Sequence, residues 1–297
     1  MVTFQAVANP TTISKVMRKL PQSVAVAVLV FASALVWAQA GDAAYDEPAS
    51  AVLRNAGYAL PSTPVLPPNL VLPRMAPELA LQLVQRHGLW QSAELAAYSD
   101  EVEIDAQLPD SSQQGNFQLL RQYTAPNGLR FTPVRFTGDG FVKQNVITKL
   151  LQSEVEHVER GDGSRTALSE QNYKFSYKGR EQVDGREVHV FQVKPRRKEP
   201  GLFKGRIYVD TLTGSLRRAE GRLVKSPSFF IKNVDFVQDY EDVAGFTLPV
   251  RIHSTAVTRV VGRAVVNIFH RNYHAQALAQ IEPQGAVSAA AGGTPLN

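Results

Sequence analysis

The sequence predicts an α+β fold that is mainly β, a curled antiparallel meander accompanied by amphipathic helices. Turn signals recur at hairpin spacing in the second half of the chain, at Asp184-Gly185, Thr213-Gly214, Ala244-Gly245 and Val261-Gly262. No helical period lies between them, which excludes a parallel sheet because parallel strands need long crossovers. Before them, over residues 141–159, apolar residues recur at the spacing of an α-helix.

A helix and three strands are expected before residues 141–159. Proline is tolerated at the first position of a helix, so Pro77 predicts a helix start, and Gly88 predicts its end. Residues 98–106 alternate between apolar and acidic side chains, which is typical of a half-buried strand. Two further strands are expected over residues 117–123 and 129–136, joined by a Pro-Asn-Gly turn.

The helix predicted over residues 141–159 has one broad apolar face that must pack on another element. This face comprises Val142, Val146, Ile147, Leu150, Leu151, Val155 and Val158, and Gly161 and Gly163 mark its end. Only strands are expected after it, over residues 173–177, 188–193, 205–210, 215–222, 229–240, 246–257 and 262–273. The concave face of such a sheet must be filled by its own side chains, by the helix or by a ligand.

The chain begins with the pattern of a secretory signal peptide. Three basic residues and no acid precede an apolar run over residues 24–37, and Ala38-Gln-Ala40 follows it. We expect cleavage after Ala40, the alternative being an uncleaved membrane anchor. Without residues 1–40 the chain has 29 basic and 27 acidic residues, so its net charge falls from +5 to +2. This small charge on a secreted chain gives no reason to expect a nucleic-acid partner.

Composition divides the rest of the chain into three parts. Residues 41–75 are rich in proline, which favours an extended linker or a strap lying on the domain. Residues 275–297 form a low-complexity tail. Residues 76–274 are expected to form one domain, long enough to bury a sizeable core.

Signals for an enzyme or a metal site are weak. The absence of cysteine excludes disulfide scaffolds, thiolate zinc sites and thiol catalysis. The six histidines form no His-Glu-x-x-His motif, and the sequence holds no Gly-x-Ser-x-Gly, P-loop or EF-hand pattern. Glu154 and His157, three residues apart, are expected on a solvated helix edge rather than around a metal. We therefore predict no catalytic residue, no metal and no cofactor.

Two hairpin motifs carry a family resemblance. Tyr208-Val-Asp-Thr-Leu-Thr-Gly214 and Gly245-Phe-Thr-Leu-Pro249 are typical of the LolA/LolB-like group of bacterial periplasmic proteins, which the chain resembles over roughly residues 76–274. Stretches at residues 172–177, 201–205 and 225–230 are similar to an uncharacterised branch of this group, the outer-membrane lipoprotein-sorting-like proteins. The resemblance implies an unclosed β-barrel lidded by helices around an apolar cavity, in the periplasm.

The function implied by this resemblance is that of a non-enzymatic carrier for a lipid or for the acyl chain of a lipoprotein. LolB-type members are lipid-anchored, so a chain without cysteine is more similar to the soluble LolA type. The alternative is an envelope sensor or scaffold protein that binds a protein partner through a basic hairpin, the predicted hairpin that carries the cations of residues 194–206.

Large apolar residues of the strands and of the helix are the candidates for lining a ligand cavity. Some must face inward on a curled sheet, where they either contact an acyl chain or form an ordinary packed core. The candidates are Tyr173, Phe175, Tyr177, Phe191, Phe230, Phe236, Phe246, Leu248, Val250, Ile252, Phe269, Ile147 and Leu151.

Basic residues concentrate in one region. Residues 178–225 carry 13 basic and 6 acidic side chains, a net charge of +7. These cations are candidates for contact with anionic headgroups at a membrane surface or with an acidic envelope protein. The alternative is a solvated hairpin whose charges protect an exposed edge. The candidates for headgroup or partner binding are Lys194, Arg196, Arg197, Lys198, Lys204 and Arg206.

Overall fold

Ten antiparallel strands form one sheet in the computed structural model, which describes residues 74–161, 163–226, 231–259 and 261–278. The strands are β1 (Leu95–Leu108), β2 (Gln113–Thr124), β3 (Gly128–Gly138), β4 (Tyr173–Val183), β5 (Arg186–Pro195), β6 (Phe203–Asp210), β7 (Leu216–Leu223), β8 (Ile231–Val243), β9 (Phe246–Thr258) and β10 (Arg263–Ala277). The predicted signal peptide, most of the proline-rich segment and most of the tail lie outside the described residues.

The order of hydrogen-bonded strands is β3-β2-β1-β10-β9-β8-β7-β6-β5-β4. β3 and β4 occupy the two ends of this order, so the sheet is not closed into a barrel. Side chains from β2 and from β6, in opposite halves of the order, nevertheless belong to one buried cluster, which requires the sheet to curl. The predicted fold, mainly β with an unclosed antiparallel meander, is confirmed.

Helix α1 (Pro77–Glu94) begins with a proline in its first turn, as predicted, but it does not end at Gly88. A glycine inside a helix costs only about 1 kcal/mol, and the turn that follows is anchored to β9. The Gln91 side chain donates to the carbonyl of Thr247 (3.2 Å) and accepts from its N–H (2.8 Å). These two buried bonds explain why the helix continues, and the prediction of its end is wrong.

A continuous helical segment connects the two edge strands. It consists of α2 (Gly140–Val142), a π-helical turn (Lys143–Ile147) and α3 (Thr148–Arg160), and we call residues 140–160 the crossing helix. Gly161 ends it with a left-handed backbone, φ 63°, which glycine adopts without steric cost. The short helix α4 (Gly163–Thr166) then leads toward β4. Among the described helices, none combines the length and the apolar character that crossing a membrane requires.

Candidate functional site

The apolar face of the crossing helix packs on two clusters of interior side chains. Its first half is buried in the larger cluster through Val142, Val146, Ile147 and Leu150. Its second half packs against a smaller cluster through Val155 and Val158. The face predicted from the sequence is therefore turned toward the sheet, and the helix covers part of the concave surface.

Nine of the thirteen candidate cavity residues lie in these two clusters. Four are buried in the larger cluster, namely Ile147, Tyr173, Phe191 and Ile252, and three pack against it half-buried, namely Leu151, Phe175 and Phe236. Phe246 and Leu248 are buried in the smaller cluster. The structure thus brings these nine side chains to the interior, where ligand contact stays a prediction.

The other four candidates are placed differently. Tyr177 is 43% exposed at the sheet edge, with its hydroxyl 3.2 Å from Nδ1 of His189. Val250 is the extra residue of a β-bulge between β8 and β9, a feature that a simple alternation of faces does not anticipate. Phe269 follows the inward-facing Ile268 and therefore lies on the outer face. Phe230 lies outside the described residues.

Half-buried apolar side chains lie on the crossing helix and on the two edge strands of the sheet, and we call this set of residues the seam. They pack against the larger cluster while keeping part of their surface in solvent. The seam residues are Phe131 and Phe136 on β3, Phe175 on β4, and Phe141 and Leu151 on the crossing helix. Solvent therefore reaches the edge of the apolar interior at these residues.

One guanidinium is buried in the interior beneath the crossing helix. Arg121 is 1% exposed and contacts both oxygens of Asp100, with Nε–Oδ1 at 2.8 Å and Nη2–Oδ2 at 3.2 Å. Its Nη1 donates to Oε1 of Glu154 at 3.1 Å, and its Nη2 donates to the Tyr273 hydroxyl at 2.8 Å. The guanidinium also lies 4.9 Å from the ring centroid of Tyr98. We call these residues, together with His270, the Arg121 cluster.

His270 completes the cluster from β10. Its Nδ1 lies 2.8 Å from Oδ2 of Asp100, and its buried Nε2 has no hydrogen-bond partner among the described residues. Burial, reinforced by Arg121, lowers the pKa of His270, although Asp100 acts in the opposite direction. Burial alone would raise the pKa of Asp100, but Arg121 and the bond from His270 hold it below its usual value. A neutral imidazole therefore donates its Nδ1–H to an ionised carboxylate.

Strand pairing assembles most of this cluster. Asp100 and Arg121 are direct partners across β1 and β2, and Tyr273 and His270 come from β10 on the other side of β1. Glu154 reaches the cluster from the crossing helix. The expectation that Glu154 lies on a solvated edge is wrong, because it is buried against Arg121.

A signal for the Arg121 cluster is present in the sequence. Residues two apart in a strand share a face, so Asp100 lies on the same face as Val102 and Ile104. Arg121 likewise lies on the face of Leu119 and other apolar residues of its strand. One acid and one base on the apolar faces of successive strands predict a buried pair. Glu154 carries no such signal, since only the packing of the helix decides which of its acids faces inward.

The structure divides the six basic candidates into two groups of three. Arg196 donates to the carbonyls of Glu170 (2.6 Å) and Tyr173 (3.3 Å). Arg197 donates to the carbonyl of Arg165 (2.9 Å) and to Oδ1 of Asn172 (2.7 Å), and pairs with Glu199 (3.0 Å). These two arginines hold the loop after β5 on the segment that precedes β4. They are therefore occupied within the chain.

Arg206 is the third bonded arginine, and the other three candidates are lysines. Arg206 pairs with Glu220 at 2.8 Å and with Glu181 at 3.5 Å. Lys194, Lys198 and Lys204 are exposed, and none has an ion pair with another described residue. The predicted basic hairpin is thus three bonded arginines and three lysines that remain available to a partner.

No group of three His, Asp or Glu side chains within the described ranges is arranged to hold a metal ion. Their positions on adjacent strands suggest that His253 and His270 could be cross-strand neighbours, but they are not. His253 is the direct partner of Asn267, faces outward and has its Nδ1 2.7 Å from Oδ1 of Asn267.

Comparisons with known proteins give partial matches. Residues 166–276 match the model of a family of unknown function, DUF5686. No curated protein matches the sequence. Solved structures that align with the chain include a DUF1329 family protein from Desulfovibrio piger, a LolA superfamily protein from Nitrosomonas europaea and a putative outer membrane lipoprotein-sorting protein domain from Vibrio parahaemolyticus.

These three structures are 11%, 13% and 11% identical to the chain, with TM-scores of 0.35, 0.32 and 0.35. The alignments cover 69%, 66% and 69% of this chain and 94%, 91% and 95% of those chains, respectively.

Proposed function

We propose that this protein is a non-enzymatic periplasmic carrier that binds a lipid, or the acyl chain of a lipoprotein, between the concave sheet and the crossing helix. One observation carries the proposal. An apolar concave surface drawn from both halves of an open sheet is covered by the crossing helix along a half-buried apolar seam. The signal peptide predicted from residues 1–40 supports a periplasmic site of action.

Apolar burial of a ligand can offset the loss of the contact that joins the crossing helix to Arg121. Each buried methylene contributes about 0.8 kcal/mol, so ten methylenes of an acyl chain contribute about 8 kcal/mol. Lifting the helix separates Glu154 from Arg121, and a hydrogen bond to a charged group contributes about 1.5–3 kcal/mol. A long chain therefore exceeds the loss of this contact, and the margin narrows as the chain is shortened.

When the crossing helix lifts, the Arg121 cluster limits the free energy that the sheet loses. When Glu154 leaves, Arg121 keeps both oxygens of Asp100 and the hydroxyl of Tyr273. Glu154 is then solvated rather than buried without a partner, which avoids the larger penalty for an isolated buried charge. The helix can therefore move while the charges of the sheet remain paired.

The alternative, a scaffold that binds a protein partner through the basic hairpin, has less support. Arg196 and Arg197 are bonded to backbone carbonyls of the same chain, and Arg206 is paired with Glu220. These three side chains would have to exchange existing bonds for a partner.

Binding is tested with a fluorescent long-chain fatty acid and with the purified protein. We expect saturable binding that weakens steeply as the chain is shortened, and we expect lipid in solvent extracts of protein purified from cells. Absence of both the extracted lipid and the fluorescence change would exclude the carrier function.

Two phenylalanines provide a matched pair of variants. Phe175 lies at the seam and Phe269 on the outer face, where the guanidinium of Arg271 is 5.8 Å from its ring centroid. Removing a side chain that contacts the ligand loses about 1.5–3 kcal/mol of burial, so F175A should weaken probe binding at least ten-fold. F269A should bind as the wild type does. Equal affinities of F175A and F269A would place the ligand elsewhere.

A further inference from the structure

Four neighbouring strands carry a cation at the same position near one end of the sheet. Lys174 is the second residue of β4, Lys194 the second-last of β5, Lys204 the second of β6 and Arg222 the second-last of β7. All four are exposed, and we call them the basic row. Only Lys194 and Lys204 belong to the hairpin expected from the sequence.

Strand register places these cations side by side on the outer face. Lys174 is the direct partner of Lys194, and Lys204 is the direct partner of Arg222. Val193 pairs with Gly205, which brings Lys194 and Lys204 alongside each other. Their neighbours Phe175, Val193 and Phe203 belong to the interior cluster, so the row itself faces outward. Adjacent strands are about 4.8 Å apart, so the row extends over about 14 Å.

Like charges directly opposite each other across strands are destabilising, and this row contains two such pairs. Asp235 neutralises Arg222, with contacts of 2.7 and 2.9 Å. Glu220, on the same face, is taken by Arg206 and by the Tyr208 hydroxyl, each at 2.8 Å. The three lysines have no ion pair in the part of the chain that the structure describes. No acidic side chain of the described ranges therefore offsets their mutual repulsion, which an external anion would relieve.

Protection of a sheet edge does not account for the row. Edge strands use lysine against unwanted strand pairing, which explains Lys174 on the edge strand β4. Lys194, Lys204 and Arg222 lie on β5, β6 and β7, which are paired on both sides. Their alignment therefore has another cause.

We propose that the basic row docks the protein on a membrane surface that carries anionic phosphate headgroups. Headgroups diffuse laterally and can gather under a line of flexible lysines, whereas a protein surface must already hold acids at matching positions. Basic residues close to an anionic leaflet are each attracted to it, and lysine binds phosphate as a point charge. The row lies on the outer face, so docking is independent of the proposed acyl-chain binding in the interior.

The test is co-sedimentation of the whole protein with vesicles, using phosphatidylcholine alone or mixed with phosphatidylglycerol. We expect binding only to the mixed vesicles, decreasing from about 0.1 M to about 1 M salt as the Debye length falls from about 10 Å to about 3 Å. Removing each lysine should lower the partition coefficient about five-fold, so K174Q/K194Q/K204Q should lower it about a hundred-fold.

A control removes three exposed arginines of α1 and β3, in R86Q/R130Q/R135Q, which changes the net charge equally. It should bind vesicles within about two-fold of the wild type, as expected for charges outside the docking surface. The lysine variant should unfold at the same temperature as the wild type or higher, because like-charge pairs are removed, and should keep its fatty-acid binding.

Three results would overturn the proposal. They are no binding of wild-type protein to anionic vesicles, equal losses in the lysine and arginine variants, and retention on poly-glutamate without vesicle binding. The last result would assign the row to an acidic protein instead. If the wild-type protein binds anionic vesicles but not the fatty acid, the carrier function is contradicted and the proposed docking surface stands.

Discussion

The Nη1 atom of Arg121 lies 3.1 Å from Oε1 of Glu154, and this contact joins β2 to the crossing helix. Both side chains are buried, with exposures of 1% and 7%. The same guanidinium holds Asp100 through two bonds, so the helix is attached to a charge that the sheet has already neutralised. This arrangement makes the attachment of the helix separable from the integrity of the sheet.

The substitution E154Q should loosen the helix without unfolding the sheet. Gln keeps an acceptor but loses the charge, and hydrogen bonds to charged groups contribute about 1.5–3 kcal/mol. We expect a loss of this size in the free energy of unfolding, measured by urea denaturation, and a faster association of the fatty-acid probe. E156Q, at a half-exposed position two residues away, should change neither. Slower association in E154Q would contradict the role of this contact.

The substitution D100N should be more damaging than E154Q. Asp100 is fully buried and accepts from both Arg121 and His270, so its neutralisation leaves a guanidinium that Glu154 alone must balance. Breaking a buried pair in this way costs about 3–5 kcal/mol. On the outer face of the same strand, D105N removes an acceptor of Asn116 and should cost less. A smaller effect for D100N than for E154Q would place the main anchor of Arg121 elsewhere.

His270 should make folding stability depend on pH. Its pKa is lowered in the folded protein, so below pH 6.5 the unfolded chain binds the proton more readily. Stability is therefore fully present above pH 6.5 and falls as the pH is lowered toward the folded pKa, by up to about 1.4 kcal/mol per pH unit. The groups facing the imidazole are Asp100, Arg121, Glu154 and Tyr273.

Two histidine variants distinguish the pH dependence caused by His270 from that caused by other titratable groups. H270Q should flatten the dependence of the unfolding free energy between pH 7 and pH 5, whatever its absolute stability. H253Q, at an exposed outer-face position, should retain the slope of the wild type. An unchanged slope in H270Q would mean that other groups dominate in this range.

Much of the fold follows from period and turn signals. The helical repeat before Gly161 and the hairpin turns after it are local properties, and the structure confirms the meander that they predict. The end of α1 does not follow from the sequence, because the buried bonds between Gln91 and Thr247 join residues distant in the chain. A long-range contact of this kind overrides the local preference of Gly88.

The sequence predicts the candidate site less completely than it predicts the fold. Alternation predicts which strand residues face inward, but it fails for Val250, where one extra residue in β9 shifts the register. Alternation holds for Phe269, because its neighbour Ile268 is the inward residue, and the prediction fails there because it relies on the size of the side chain. The sequence shows only that all six basic candidates are charged. The structure shows which of them are hydrogen-bonded within the chain, as Arg197 is and Lys198 is not.

The difference between Arg197 and Lys198 can be measured. R197A removes the bond to Oδ1 of Asn172, a buried side chain whose amide also donates to the carbonyls of Ser164 and Ala167. We expect R197A to lose about 1.5–3 kcal/mol of stability in urea denaturation, the contribution of a hydrogen bond to a charged group. K198A should lose almost nothing, because Lys198 is exposed and has no ion pair among the described residues.

The same two variants decide what the loop after β5 contributes to binding. If Arg197 is structural, R197A weakens vesicle binding no more than K198A does once both proteins are compared well below their unfolding temperatures. If Arg197 instead contacts headgroups directly, R197A loses vesicle binding at full stability, and the bonds to Arg165 and Asn172 must be exchanged on docking. The hydrogen bonds of 2.7 and 2.9 Å favour the first outcome, because lipid headgroups would have to replace two existing partners of the same guanidinium.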